Sequence, residues 1–320
     1  MSKPIAVLIS DIHYSLKTLE VADAATRQSV TKANELQVPL IVAGDTHDTK
    51  ANLRAECMNA MIETFAMADS QPWILIGNHD KINEKGIENA LYFLSGLGVI
   101  LDKPQFHHTL NINFIPYQHD PEVFKTLLAH NCINIVHQGL VGANSGEYIQ
   151  DKSAVNIKDM AGYRVISGHY HNRQTLKLSN NGQWDYIGNP YTLNFAEAND
   201  LKKGYQILFE DGSLKFVPTN LRKHVVYTGL GDVQIHTDKD LIRVKIEDKK
   251  EILNKVTKEY AAKILNIKQP FKLDKIETIA KSDTKRRKSQ TLAEQLDELI
   301  NEIDATDTRK ETLKNLWKTL

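Results

Sequence analysis

The sequence predicts an α/β protein in which a two-sheet β-sandwich is flanked by helices. In the first third of the chain, apolar runs alternate with segments of helical periodicity, which is typical of parallel strands joined by crossover helices. From Val99 onward, short apolar runs follow one another with brief connections. Two turn motifs, Asn180-Asn181-Gly182 and Glu210-Asp211-Gly212, lie between these runs. This second half predicts a further, mainly antiparallel sheet.

The segment before Val99 contains three predicted strands and two predicted helices. Continuous apolar runs indicate buried strands, and apolar residues every three or four positions indicate helices. These elements are the strands 5–9, 40–43 and 73–76 and the helices 18–37 and 52–68. Ligands of such sheets lie beyond the carboxyl ends of the strands, which is where Asp11, Asp45 and Asn78 fall.

The segment from Val99 onward is predicted to contain further strands and then three smaller units. Its strands are 99–101, 112–117, 133–137, 164–167, 184–187, 205–209 and 214–217. Beyond these, strands at 224–227, 233–236 and 241–246 and a helix at 249–265 predict a small α+β capping domain. The predicted units are thus a main domain over 1–220, a capping domain over 221–267, a linker over 268–290 and a helical pair over 291–320. The linker is basic, with eight lysine or arginine residues and three acidic ones.

Composition narrows the class of protein but not its partner. The 320 residues are 41% hydrophobic and 25% charged, within the range of soluble globular proteins. Forty basic and forty acidic residues leave no net charge, which neither favours nor excludes nucleic acid. The two cysteines, Cys57 and Cys132, are expected to be reduced core residues of an intracellular, cytoplasmic protein. Apolar runs are too short for a membrane span, and the run over 4–9 is too short for a signal peptide.

Five predicted strands end in residues that commonly bind metal ions. Two divalent cations about 3.5–4 Å apart need a bridging ligand, and a carboxylate does this best, so Asp45 is the candidate bridge. Residues at positions i and i+2 share one side of a strand, which lets a pair such as Asp11 and His13 face one ion. The first predicted ion takes Asp11, His13, Asp45 and His171, and the second takes Asp45, Asn78, His137 and His169. This mixture of imidazole and carboxylate ligands favours Mn, Fe or Zn over Mg or Ca.

Two further residues are candidate catalytic groups. His79 follows the ligand Asn78, so it lies beside the ions without having to bind them. A histidine there can protonate a leaving oxygen or stabilise negative charge in the transition state. Asp48, three residues after the bridge, is placed to hold the His79 imidazole in one tautomer. The predicted nucleophile is a hydroxide that bridges the two ions.

Each motif alone has a simpler explanation. A single buried His137 is more often a core histidine, Gly168-His169-Tyr170-His171 is compatible with a turn, and Gly77-Asn78-His79-Asp80 is compatible with a helix cap. All five motifs occur in order, each at the end of an apolar run, and this combination favours a two-metal site.

The motifs resemble those of a known family. Asp11-Ile12-His13, Gly44-Asp45-Thr46-His47-Asp48, Gly77-Asn78-His79-Asp80, His137 and Gly168-His169-Tyr170-His171 match the whole signature of the calcineurin-like metallophosphoesterases. This signature spans residues 11 to 171. The resemblance implies the metallophosphoesterase fold, and it agrees with the ligand and acid roles described above.

A subgroup is also indicated. His137-Gln138, the stretch 187–192 and Lys202-Lys203-Gly204-Tyr205 look like the corresponding parts of SbcD-type DNA-repair nucleases, especially their bacteriophage counterparts. The resemblance implies a two-metal DNA exonuclease or endonuclease that works as a homodimer, and Mn²⁺ is the predicted metal, with Fe²⁺ or Zn²⁺ as alternatives. It also implies an SbcC-type ABC ATPase partner bound through the terminal helices. The chain departs from this group at Tyr14-Ser15 and at Asn189, neither of which is a predicted ligand.

Other functions remain open at this stage. The same fold serves phosphatases and cyclic-nucleotide phosphodiesterases, and a DNA-end-binding scaffold with little turnover would also need the metals. The basic run over 285–288 is compatible with a solvated linker or with phosphate contacts. The apolar stripe over 292–303 is compatible with packing on its own domain or on a partner. No residue is assigned to DNA binding, and His47, His107, His108 and His119 receive no role.

Overall fold

Two six-stranded mixed sheets form the main body of the protein. The structure is a computed structural model that describes residues 2–50, 52–83, 88–145, 151–198, 200, 202–228, 240–248 and 272–280. The strand order is β12-β11-β1-β2-β3-β4 in the first sheet and β5-β6-β7-β8-β10-β9 in the second. The predicted two-sheet α/β sandwich is therefore confirmed.

The first sheet contains the predicted parallel strands. It consists of β1 (Pro4–Ile9), β2 (Leu40–Val42), β3 (Trp73–Leu75), β4 (Val99–Leu101), β11 (Gly204–Phe209) and β12 (Leu214–Pro218). Strands β1 to β4 are parallel, and β11 and β12 add an antiparallel hairpin beside β1. The prediction that placed β4, β11 and β12 in a second sheet was wrong. The order of the strands in the sequence does not decide which sheet a later strand joins, or at which edge.

The second sheet is mainly parallel, which corrects the prediction of a mainly antiparallel one. It consists of β5 (Gln105–His107), β6 (Ile112–Ile115), β7 (Ile133–His137), β8 (Arg164–Gly168), β9 (Gln174–Lys177) and β10 (Gln183–Tyr186). Strands β6, β7, β8 and β10 are parallel, and only the edge strands β5 and β9 run antiparallel to their neighbours. The connections that precede and follow β7 are long enough for crossovers. The predicted turn at Asn180 and Asn181, with φ of 54° and 59°, does join an antiparallel pair.

Helices cover the outer faces of both sheets. Helix α1 (Leu19–Leu36) ends at Gln37, whose φ of 55° is followed by the predicted break at Pro39. Helix α2 (Ala55–Phe65) is shorter than the predicted 52–68, and the Asn52 N–H before it donates to the Thr49 carbonyl. Helix α3 (Pro121–Leu127) was not predicted. It has only seven residues, and its Asp120 cap accepts a hydrogen bond from the Glu122 N–H.

The apolar core has three layers that follow from the alternation of side chains along the strands. Between the sheets, Leu8 and Ile41 of the first sheet pack with Phe114 and Ile166 of the second. Helices α1 and α2 cover the outer face of the first sheet, and α3 covers that of the second with Phe124. Cys57 and Cys132 are both free and buried, as expected. Burial on both faces holds the strand ends in a rigid frame.

A third, three-stranded parallel sheet contains the last residues that the structure describes. It is formed by β13 (His224–Thr228), β14 (Leu241–Asp248) and β15 (Lys272–Ala280). Strand β15 lies inside the segment predicted as a basic linker, so these nine residues are paired rather than free. The composition of a segment does not show whether it pairs with a strand some thirty positions earlier in the chain. The predicted strand 233–236, helix 249–265 and helical pair 291–320 lie outside the described residues, and the division into domains stays a prediction.

Among the described residues, no helix has the length and apolar character needed to cross a membrane.

Candidate metal centre

The carboxyl ends of five strands meet at one edge of the sandwich. Strands β1, β2 and β3 of the first sheet end just before Asp11, Asp45 and Asn78. Strand β7 of the second sheet ends on His137, and β8 ends on Gly168, immediately before His169. Parallel strands present these ends on the same side. Residues far apart in the chain are thereby brought together.

Several of these residues adopt a left-handed backbone conformation that non-glycine residues rarely occupy. The φ angles are 52° for Asp11, 51° for His13, 50° for Asp45 and 85° for His169. Such positions cost free energy, and they persist where surrounding contacts hold them and where a site needs them. Here the Asp11 N–H donates to Gly44 O at 3.0 Å, and the His13 N–H donates to Asp45 O at 3.1 Å. The two strand-end loops therefore hold each other in place.

Two glycines make this close approach possible. A Cβ on Gly44, whose φ is 96°, would lie 2.2 Å from the Nδ1 of His137. A Cβ on Gly77 would lie 2.2 Å from the Oδ1 of Asp45. Both contacts are far shorter than van der Waals distance, so any side chain at either position would push a candidate ligand aside. A glycine is therefore required before each of these two ligand runs.

The first predicted ligand set converges in the structure. The Nε2 of His13 lies 3.2 Å from the Nε2 of His171 and 3.8 Å from the Oδ2 of Asp45. The Nε2 of His171 lies 3.8 Å from the Oδ1 of Asp11. Asp11, His13 and Asp45 are at most 3% exposed. Ligand atoms of Asp11, His13 and His171 all lie within 4.8 Å of one another.

The second predicted ligand set converges beside the first. The Nε2 of His137 lies 3.2 Å from the Oδ2 of Asp45 and 3.1 Å from the Oδ1 of Asn78. The Nδ1 of His169 lies 2.9 Å from the same Asn78 oxygen. Ligand atoms of Asp45, His137 and His169 all lie within 4.8 Å of one another.

Asp45 is the residue that both sets share. Its Oδ2 faces His13 on one side and His137 on the other, while its Oδ1 accepts the backbone N–H of His79 at 2.8 Å. Burial opposes ionisation of this carboxyl, but the facing His137, His79 and His13 hold its pKa well below the ordinary value. One oxygen of a carboxylate thus points into the space between the two sets, as a bridging ligand requires.

The chemistry of the donor set fits metal ions. The nitrogens that face inward lie close to one another or to ligand oxygens: the Nε2 atoms of His13 and His171 are 3.2 Å apart, and His137 Nε2 is 3.2 Å from Asp45. Three of the outward nitrogens lie near acceptors: His137 Nδ1 is 2.8 Å from Ala43 O, His169 Nε2 is 2.8 Å from Asp151, and His171 Nδ1 is 2.7 Å from Glu197. The fourth, His13 Nδ1, lies 3.3 Å from Asp48 without hydrogen-bond geometry. An acceptor on the outer nitrogen places the hydrogen there and turns a lone pair inward. The clustered residues therefore support two divalent ions.

Asp151 and Glu197 were missed by the sequence analysis. Asp151 lies in the connection between β7 and β8, and Glu197 lies in a short 3₁₀ helix (Phe195–Glu197). Neither follows an apolar run, and neither belongs to a motif, so no local signal marks them. Burial raises the pKa of each carboxyl, but hydrogen bonding to a histidine outweighs it, and the pKa of Glu197 falls to about 2. Both are therefore carboxylates that orient a candidate ligand.

Glu197 is itself held by a buried polar network. Its Oε2 accepts a hydrogen bond from Asn189 Nδ2 at 2.8 Å and lies 3.0 Å from the ammonium of Lys203. Lys203 also donates to the side chain of Asn189 and, at 3.2 Å, to the backbone carbonyl of His171. This network gives a structural reason for two stretches singled out in the sequence, the one ending at Thr192 and the one beginning at Lys202.

Asp48 contacts His79 differently from the prediction. The Nδ1 of His79 lies 2.6 Å from the backbone carbonyl of Asp48, and the Asp48 carboxylate instead faces His13. The sequence placed Asp48 near His79 but could not decide between its carbonyl and its side chain, because that choice depends on the turn that follows Asp45. His79 remains beside the two ligand sets, with its ring centre 4.9 Å from that of His13.

Asp80, the last residue of its motif, joins two of the loops. Its carboxylate accepts the N–H groups of His47 and Gly77, both at 2.9 Å. Burial and the neighbouring Asp45 raise the pKa of Asp80 to about 7. His47, which received no role, is buried and accepts a hydrogen bond from the Thr49 N–H. Asp80 therefore supports the loops that carry Asp45 and Asn78.

A cleft of about 940 Å³ opens onto the two ligand sets. It is lined by Asn78, His79, His169 and His171, and by both Asp151 and Glu197. Tyr170 also lines the cleft, with its ring centre 5.2 Å from that of His169. Its hydroxyl donates to Asp151 at 3.2 Å, and its ring stacks on Tyr186. The cleft is large enough for a phosphoester with a substantial leaving group.

Replacing Glu197 by glutamine should weaken the first ligand set. The amide removes the charge that holds the Nδ1–H of His171, and loss of such an outer partner typically costs about 10- to 100-fold in metal affinity or activity. Titration of the apo-protein with Mn²⁺ measures the affinity. The exposed Glu210→Gln variant is the control, and equal affinities in all three proteins would contradict the assigned role.

The same variant should change the acid stability. Since the pKa of Glu197 is lowered from 4.5 to about 2, the stabilisation that it contributes is complete above about pH 4.5 and is lost as the pH falls through about 2. Thermal unfolding of Glu197→Gln should therefore lose part of this pH dependence in that window.

The chain was compared with protein families, with curated proteins and with solved structures. No protein-family model matches the chain. The chain is 27% identical over 154 residues to exonuclease subunit 1 of Enterobacteria phage T4. The aligned region covers 47% of this chain and 43% of that protein. The match thus spans less than half the length of this relative. A solved structure of a dimetal phosphatase from Danio rerio aligns with a TM-score of 0.41 at 10% identity, covering 65% of this chain and 93% of that one. The partial match to the phage exonuclease subunit agrees with the resemblance predicted from the motifs.

Proposed function

We propose that the protein is a metal-dependent phosphodiesterase that cleaves DNA. The observation that carries this proposal is the position of the Asp45 Oδ2 between His13 at 3.8 Å and His137 at 3.2 Å. Two complete ligand sets that share one carboxylate oxygen are the arrangement of enzymes that hydrolyse phosphate esters with a pair of ions. The donor set suits Mn²⁺, and Fe²⁺ or Zn²⁺ are the alternatives.

Two divalent ions at this site would supply a strong nucleophile near neutral pH and would neutralise the charge that develops on the phosphate. The protein's own residues hold the ligands and their loops in position. The outer partners Asp151 and Glu197 hold His169 and His171 in one orientation, so the ligand geometry is set before substrate arrives. Asp80 and the backbone hydrogen bonds between the loops keep Asp45 and Asn78 in register. A preorganised site of this kind needs little rearrangement during the reaction.

His79 is the proposed proton donor to the leaving oxygen. Its Nδ1 lies against the backbone carbonyl of Asp48, which only accepts hydrogen bonds, so the hydrogen on Nδ1 is held in place. The protonated ring then has its second N–H, on Nε2, to give to a substrate. His79 lines the cleft, and it lies beside the ligands without belonging to either of the two sets around Asp45. Both conditions suit a general acid.

The choice of DNA as substrate rests on similarity in sequence. The relative from phage T4 is named an exonuclease subunit, and its match to this chain supports a nuclease over a phosphomonoesterase. We infer that the protein works in the cytoplasm, in a recombination or repair complex, as a homodimer. In that complex residues 291–320 would bind an SbcC-type ATPase. Deletion of 291–320 should abolish co-purification with such an ATPase and leave hydrolysis of a nitrophenyl phosphodiester intact; loss of both activities would refute the assignment.

One assay tests the proposed function against its rivals. The metal-free protein should cleave neither linear DNA nor bis(p-nitrophenyl) phosphate, and Mn²⁺ should restore both activities, because the ligand sets act only around bound ions. Release of acid-soluble nucleotides and of nitrophenolate measures the two reactions. Turnover of a phosphomonoester without DNA cleavage would favour a phosphatase. DNA binding without cleavage of any ester would favour a scaffold.

A further inference from the structure

A second cavity continues the cleft away from the metal centre. It measures about 540 Å³ and is lined by Lys81, Gln118, His119, Asp120 and Lys152, among others. His119 and Lys152 also line the cleft that opens onto the two ligand sets. The two spaces are therefore adjoining parts of one groove. A substrate longer than the ester at the metal ions would extend along it.

Lys81 is the unusual residue of this second cavity. It is only 9% exposed, and burial lowers its pKa. Among the described residues, its ammonium makes no hydrogen bond or ion pair. It instead lies over the ring of Tyr117, 5.6 Å from the ring centre. The ammonium itself is not among the fully buried polar atoms, so it faces the cavity that Lys81 lines. An anion that enters this cavity can therefore pair with Lys81 without displacing a described carboxylate.

The surroundings of Lys81 favour an anion from outside. Lys152, on the shared wall, adds a second positive charge, and it directly follows Asp151, which holds His169. The Nδ1 of His119 is buried without a hydrogen-bond partner. Asp120, the one carboxylate among the described residues that line this cavity, is exposed and accepts the Glu122 N–H at 2.8 Å as the cap of α3. The cavity therefore offers two cations and an unsatisfied imidazole nitrogen.

The position of Lys81 in the chain links it to the reaction centre. It comes three residues after the ligand Asn78, and the intervening Asp80 anchors this loop through the N–H groups of His47 and Gly77. Its backbone also forms a bridge with Asn89. The loop is thus fixed on both sides of Lys81. A group bound by Lys81 would be held at a constant distance from the metal centre.

We propose that Lys81, assisted by Lys152, binds a second phosphate of a single DNA strand, beyond the one at the metal ions. This rests on the proposed function and deepens it, because the substrate must then carry at least two phosphates joined along a backbone. Phosphate contacts by lysine position a strand without reading its bases, and they make binding sensitive to salt. Lys81 is in this proposal a positioning residue, not a catalytic one.

Kinetics of Lys81→Met test this subsite. With Mn²⁺, kcat/KM is measured for a single-stranded oligodeoxynucleotide and for bis(p-nitrophenyl) phosphate, which has no second phosphate. The ratio of the two values should fall about tenfold, mainly through KM for the oligonucleotide. The slope of log(kcat/KM) against log[salt] for the oligonucleotide should decrease by about one, as for the loss of one phosphate contact. Lys81→Arg should recover most of the ratio, and the exposed Lys103→Met is the matched control.

The outcomes separate this inference from the proposed function. A ratio and a salt slope equal to those of the unmodified protein, in both Lys81→Met and the exposed Lys152→Met, would overturn the subsite while leaving the nuclease proposal standing. A parallel fall for both substrates would likewise overturn it, since it would show a general effect on the site. If the unmodified protein with Mn²⁺ cleaves neither substrate, the proposed function fails and the subsite with it.

Discussion

The Asp45→Asn variant should lose phosphodiester hydrolysis and one of the two bound ions together. The carboxylate Oδ2 lies between His13 and His137, so it serves both ligand sets at once. An amide keeps the shape but not the charge, and a neutral oxygen is a poor bridge between two cations. Loss of one preorganised charge-stabilising group typically costs about 10²- to 10³-fold in kcat, and a shared ligand should cost at least as much.

Metal content and activity are measured on the same preparation. Elemental analysis should find about two Mn²⁺ per chain in the unmodified protein and fewer in Asp45→Asn, while hydrolysis of bis(p-nitrophenyl) phosphate drops to near background. The exposed Asp102→Asn variant should match the unmodified protein in both measurements. If Asp45→Asn kept both ions and its activity, Asp45 would not be the bridge. Circular dichroism verifies that the variant is folded.

The His79→Ala variant should keep its ions and lose turnover. The backbone N–H of His79, which donates to Asp45, is retained in alanine, so the ligand sets should persist. Removing a general acid typically lowers kcat by about 10²- to 10⁴-fold. The loss should be larger for DNA than for the nitrophenyl diester, because the alkoxide that leaves from DNA needs a proton and nitrophenolate does not.

This difference between leaving groups distinguishes an acid from a structural residue. A histidine that only supports the loop should reduce both reactions by the same factor when it is replaced. Metal content is checked by elemental analysis, and the exposed His108→Ala variant is the control. Equal losses for the two substrates would refute the assignment of His79 as the proton donor.

Much of the candidate site was predictable because its ligands lie at strand ends. An apolar run that stops at Asp11, Asp45 or Asn78 marks both a buried strand and the polar edge of a sheet. The structure brings all seven predicted ligands together, in the two sets that were predicted. The histidine near the ligands and the glycines before them were predictable for the same local reason.

Residues that act through another side chain were not predictable. Asp151 and Glu197 lie in connections with no periodic pattern, and they reach His169 and His171 only after the chain has folded. Lys81 looks like any solvated lysine in the sequence, and its burial appears only when the second sheet and α3 surround it. The role of Asp48 depended on a turn geometry that residue types alone do not specify.

By itself, the sequence determined the α/β class, the order of the first strands and the residues that the strand ends present. These depend on local periodicity and on the residue types at each end. Only the tertiary structure decided that β4 joins the first sheet, that the second sheet is mainly parallel, and which oxygen of Asp45 lies between the two ligand sets. Strand pairing and the approach of individual atoms join residues far apart in the chain, and short-range patterns do not specify which neighbour each strand or each oxygen takes.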